Sequence, residues 1–186
     1  MPLLVFGLPT HVLLVHAVVV LVPLAVLGAV VVAVWPAARR RYGWLVVAVT
    51  AVATATVPLA TEAGEALEHA LPRSPAIATH AHLGDELLPF VMGLLVLTCA
   101  LMLLDRRRQG SGGLHREIDP RSAPGTVAGR AVPSTAMRLG LVITALLTVA
   151  VAAVCAVQVV RIGDSGARAA WGDQTYLTQA GREDEG

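Results

Sequence analysis

Residues 12–34 read VLLVHAVVVLVPLAVLGAVVVAV, and residues 35–44 that follow read WPAARRRYGW. The first stretch contains no Asp, Glu, Lys or Arg, and it exceeds the roughly 20 apolar residues that cross about 30 Å of hydrocarbon. It ends on Trp35 and on Arg39, Arg40 and Arg41, with Tyr42 and Trp44 closing the cluster. Aromatic rings and arginines at the end of an apolar run are the signature of a membrane–water boundary. Three further runs follow, at about residues 44–60, 84–104 and 139–160. The expected fold is therefore all-α: an integral membrane four-helix transmembrane bundle.

Composition supports that reading. The chain has 186 residues, 55% of them hydrophobic and only 4% aromatic, with a mean hydropathy of +0.69. A soluble core of this size would alternate apolar and polar faces; these runs are apolar all round. The second run is shortest, and Thr50, Thr54 and Thr56 dilute it. Those hydroxyls can bond backbone carbonyls one turn back, so a membrane helix tolerates them.

The net charge of +1 hides a strong segregation. All 14 basic residues are Arg, and ten of them lie in the connections after the first and third runs. The remaining segments hold most of the acids and five of the six histidines. By the positive-inside rule this places both Arg-rich connections in the cytoplasm and both termini outside, in a bacterial inner (plasma) membrane. The arginines orient the chain rather than bind nucleic acid, because they adjoin span ends and no aromatics interleave with them as stacking platforms. The first run lacks a positive n-region and a cleavage signal, so it reads as a retained span rather than a signal peptide.

The domain expected is residues 1–171, four spans with a flexible cytoplasmic loop at 109–134, followed by an acidic disordered tail at 172–186. Pro23 should kink the first helix. The second helix should continue as an amphipathic stretch over 61–71, ended by Pro72 and Pro75. Short connections favour pairing of helices one with two and three with four. Gly28, Gly93 and Gly140 should allow close helix approach. Cys99 and Cys155 fall inside spans as small packing residues. No Cys-x-x-Cys motif supports a thiolate metal or redox centre.

Topology gathers the chemistry at one end. His16 lies about 1.5 turns inside the first helix, and an ionisable group there should face the bundle interior or a wet cavity. His11 is about 140° away around the same helix, so one helix does not offer both to one ion. Glu62, Glu65 and His69 share a helix face, as do His82 and Glu86. His80 and His82 diverge. Imidazole with carboxylate suits zinc, iron, copper or nickel, although no dedicated motif such as His-Glu-x-x-His is present. A mid-membrane bis-histidine haem is disfavoured, since His16 and His80 differ in depth. Ser165 sits in Gly-Asp-Ser-Gly, a sequence found around some serine nucleophiles, but without a placed base it supports no enzyme.

The start, Gly7-Leu8-Pro9-Thr10-His11-Val12-Leu13-Leu14-Val15-His16, resembles a Gly-x-Pro-x-His-x-x-x-Val-His signature of the bacterial membrane family known as domain of unknown function 2231. Thr61-Glu62-Ala63-Gly64-Glu65-Ala66 resembles that family's second-helix end. His80 with Leu83-Gly84 resembles its His-Glu-x-Leu-Gly element, with Ala81 in place of the acid. The segment after the fourth span resembles its Gly-His-Ser-Gly motif, with Asp164 in place of histidine. The resemblance implies a four-span bundle. Relatives carrying Rieske-type or cytochrome-type domains imply metal or redox chemistry at the outer face, with a redox protein as partner. It singles out His11, His16, Glu62, Glu65 and His80 as metal-site candidates.

Three functions stay open on these grounds. One is a non-enzymatic bundle binding a transition metal or redox cofactor through a His/Glu cluster at its outer mouth. Another is a structural or accessory bundle in which those groups form only a hydrogen-bond network. The third is a small proton-coupled transporter, which needs deeper polar groups than Thr, Cys and Gln158 supply. Beyond the lipid bilayer, the four spans form either a complete unit or half of a homo-oligomer.

Overall fold

The computed structural model describes residues 4–5, 8–69, 75–110 and 135–171. Two short strands, β1 (Leu4–Val5) and β2 (Leu8–Pro9), pair antiparallel ahead of the first helix. The helices are α1 (Thr10–Val34), α2 (Pro36–Glu68), α3 (Pro75–Asp85), α4 (Leu87–Gly110) and α5 (Thr135–Trp171). With α3 and α4 counted together as residues 75–109, four helices are long and apolar enough to cross a membrane. All four predicted spans fall inside them.

Local chemistry explains the breaks. Only Trp35 separates α1 from α2, with Pro36 at the first helical position, where a missing N–H costs nothing. Glu86 separates α3 from α4. Three residues on, Pro89 has no N–H to give the carbonyl of Asp85, so the ladder lapses there. Pro23 and Pro58, by contrast, sit inside unbroken helices. Helix α2 runs to Glu68, and the predicted extension over 70–71 lies outside the described residues. So do 111–134 and 172–186, the bulk of the predicted loop and the whole of the predicted tail; α4 itself continues through Gln109 to Gly110.

The helices form a ring in which α1 packs on α2, α2 on α4, α4 on α5 and α5 on α1. The expected pairs, α1 with α2 and α4 with α5, make the broadest contacts. The core joins Val22, Ala25, Val26 and Ala29 of α1 to Ala53 and Val57 of α2, Leu87, Val91 and Leu94 of α4, and Ala152 and Cys155 of α5. Small residues point inward while Leu24, Leu27, Leu45 and Leu146 point out. That is the arrangement of a bundle in lipid, where close contact rather than hydrophobic exclusion holds helices together. Gly28 does permit close approach, facing Val46. Gly140 does not, since a side chain there would meet open space.

The threonines behave as expected. Thr50, Thr54, Thr98, Thr144 and Thr148 each donate to the carbonyl four residues back. Their hydroxyls are thus spent within their own helices.

At the arginine end, Arg39 departs from the solvated cluster that the sequence suggests. It is 4% exposed and turns inward to Asp105, itself 5% exposed. The Arg39 Nε to Asp105 Oδ1 distance is 3.6 Å, an ion pair too long for a hydrogen bond. Asp105 Oδ2 accepts from Gln109 Nε2 at 2.7 Å. Nε and Nη1 of Arg39 meet no hydrogen-bond partner among the described residues. Arg106 lies over the Trp44 ring at 4.5 Å and Arg41 over Tyr42 at 5.6 Å, which seats the aromatic belt.

Candidate functional site

The opposite end of the bundle carries the histidines. The buried stripe of α1 includes Val22 and Val26. Followed back at helical spacing, it passes Val18 and Val15 and reaches His11, about 20° from Val22 in projection. His11 is therefore half-buried against α2. His16 is about 120° from that stripe and is exposed. Its Nδ1 donates to the carbonyl of Val12 in its own helix at 2.6 Å. The expectation that His16 faces the interior is thus corrected: depth along the helix did not decide its direction, rotation did.

His80 is the residue that His11 meets. Their ring centroids are 6.4 Å apart with planes at 84°. His11 Nδ1 donates to the carbonyl of Ala60 at 3.0 Å. A carbonyl only accepts, so Nδ1 of His11 carries a proton, and in the neutral ring Nε2 is the nitrogen with the lone pair. His80 Nδ1 lies 3.0 Å from Ser165 Oγ, and that hydroxyl donates to the carbonyl of Ile162 at 2.9 Å. With its hydrogen so engaged, Ser165 accepts from Nδ1–H of His80, and Nε2 of His80 is again the free base. A histidine whose second nitrogen is held in this way presents an oriented ligand atom.

Two glycines make the space. A Cβ on Gly64 would lie 3.0 Å from Cε1 of His11, and one on Gly166 would lie 3.0 Å from Cε1 of His80. Gly163, one turn earlier on α5, meets nothing within 4 Å. Gly163→Ala is thus expected to raise unfolding stability by roughly 0.5–1 kcal/mol through helix propensity alone. Gly166→Ala, with the same propensity gain, should show none of it, because the rigid imidazole must move. Thermal unfolding of both variants in one detergent checks the difference, and equal gains would remove the steric argument.

The carboxylates stay outside this pair. Glu62, Glu65 and His69 share one face as expected, and that face is exposed; Ala60 and Ala63 occupy the buried one. His82 and Glu86 form their pair at 3.5 Å on the exposed side of α3. Asp164 faces away and pairs with Arg168 at 2.8 Å. Among the described residues no group of three or more His, Cys, Asp or Glu is placed to hold a metal ion. Of the five candidates, then, the structure joins His11 and His80 and leaves His16, Glu62 and Glu65 apart. Ser165 sits in mid-helix with its hydroxyl committed to Ile162, and nothing about it resembles a strained nucleophile turn.

A family model described as predicted membrane protein (DUF2231) matches residues 7–179. The chain belongs to this family. The match takes in all five helices, both imidazoles and both glycines beside them. As a DUF2231 protein with four apolar spans, its surroundings are a lipid bilayer. No curated protein matches the chain, and no solved structure does.

Proposed function

We propose that this DUF2231 protein is a multi-pass protein of the bacterial inner membrane that binds one transition-metal ion between His11 and His80, with the histidine end outward. The segregation of arginines supports that orientation. The observation that carries the site is the imidazole pair itself, each ring held through Nδ1 by a neighbouring helix. Two imidazoles each about 2.0–2.1 Å from one ion have centroids about 5.2 Å apart at a tetrahedral angle and about 6.4 Å apart when they stand opposite one another; these stand at 6.4 Å, which fits the opposed arrangement. Nitrogen donors of this kind suit copper, zinc, iron or nickel. Two protein ligands leave the other positions to water or to a group on a redox partner, because Glu62 and Glu65 are exposed on another face.

The test is metal content and absorption spectrum on one purified sample, before and after reloading with copper or zinc. Near-stoichiometric metal is expected in the wild type and in His16→Ala, and its loss in His11→Ala and His80→Ala. A second reading rests on the same contacts. His11 ties α1 to α2 and His80 ties α3 to α5, which is also what a purely structural network would do. Wild-type protein that takes up no metal on reloading, yet melts earlier once His80 is removed, would establish that reading instead.

A further inference from the structure

A second polar chain crosses from α3 to α5, separate from the imidazole pair. Glu86, at the break between α3 and α4, accepts at Oε2 from Gln158 Nε2 at 3.2 Å. Gln158 Oε1 in turn accepts from Arg161 Nη1 at 2.9 Å. Gln158 is only 4% exposed, whereas Glu86 is half-buried and Arg161 exposed. A buried amide thus bridges one carboxylate and one guanidinium.

Beside this chain the facing sides of α4 and α5 part around an open groove of about 600 Å³, lined by Phe90, Val154 and Val157 below Glu86, Gln158 and Arg161. The volume falls within the roughly 300–1,000 Å³ of small-molecule sites. From Arg161 to Val154 the groove follows α5 for about 10 Å, much of the roughly 15 Å hydrocarbon depth of one leaflet. Val154 and Val157 are exposed, so the groove opens sideways to where acyl chains lie.

We propose that this groove binds one phospholipid bearing a phosphoethanolamine headgroup. Arg161 takes the phosphate, the chemistry for which a guanidinium is best suited. Glu86 takes the ammonium, and an acyl chain lies along Phe90, Val154 and Val157. The charge pattern selects this headgroup. A phosphoglycerol lipid has no cation for Glu86. A choline lipid has a cation without an N–H to donate. The site stands independently of the metal reading and is tested without reference to it.

The experiment is native mass spectrometry of the delipidated protein titrated with ethanolamine, choline and glycerol phospholipids of identical acyl chains. The ethanolamine lipid is expected to bind several-fold more tightly than the other two. Arg161→Ala should weaken all three. Glu86→Gln, which keeps a partner for Gln158, should abolish the preference for ethanolamine while leaving the glycerol lipid bound. Val154→Trp should fill the groove and reduce every lipid. Wild-type protein that binds the three lipids equally, or a preference that survives Glu86→Gln in protein of unchanged helicity, would overturn the proposal.

Discussion

Asp105→Ala is expected to lower unfolding stability by about 3–5 kcal/mol, the effect of stranding one member of a buried ion pair. Asp105 is the only acid facing Arg39 among the described contacts, and both are nearly closed to solvent. Removing the carboxylate leaves a guanidinium that already lacks partners at Nε and Nη1. It also takes away the acceptor of Gln109. The double variant Arg39→Met with Asp105→Leu should recover most of the loss, since an apolar pair of similar volume carries no desolvation penalty. Arg40→Ala, exposed one residue away, should change stability by less than about 0.5 kcal/mol. Reversible unfolding in mixed micelles measures all three. Equal, small losses in Asp105→Ala and Arg40→Ala would mean that the pair contributes nothing.

Leu94→Ala is expected to cost about 2–3 kcal/mol, toward the lower end of the range for buried leucines. Leu94 is 0% exposed at the centre of the core. In water, part of such a loss is the transfer of the side chain out of solvent. In a bilayer the unfolded reference is itself apolar, so that part largely vanishes and the cavity and lost dispersion contacts remain. Leu146→Ala, at 65% exposed on α5, should change little, because lipid replaces the missing atoms. The same micelle unfolding compares them. If Leu146→Ala proved as damaging as Leu94→Ala, the outward face of α5 would be an interface and not a lipid surface.

The spans, their pairing and the gathering of histidines at one end were all legible in the sequence, because apolar length and arginine placement report them directly. The shared face of Glu62, Glu65 and His69 followed from helical spacing alone. What spacing within one helix does not report is how each helix is turned toward its neighbours. In a run of Val, Leu and Ala that is apolar on every side, hydrophobicity gives almost no preferred direction. Depth therefore drew attention to His16, and rotation assigned the role to His11. One cue existed: Ala25, Ala29 and Ala33 lie on the buried side of α1 while Leu24 and Leu27 lie opposite, and small residues mark helix contacts. That stripe, extended backward, ends on His11. Ser165 was visible as a residue, but its bond to His80 joins positions 85 residues apart. The inward turn of Arg39 was hidden by its two solvated neighbours.

Helices α2 and α5 contain 33 and 37 residues, or about 50 and 55 Å of rigid rod, against a hydrocarbon slab of about 30 Å. Ala60, Gly64, Ser165 and Gly166, which cradle the imidazoles, belong to these same unbroken rods. When the bilayer thins or thickens, its boundary slides along surplus helix, and α5, which contains no proline, has no hinge between the slab and the ring of His80. The seat of His80 on α5 is thereby insulated from the thickness of the membrane that carries it.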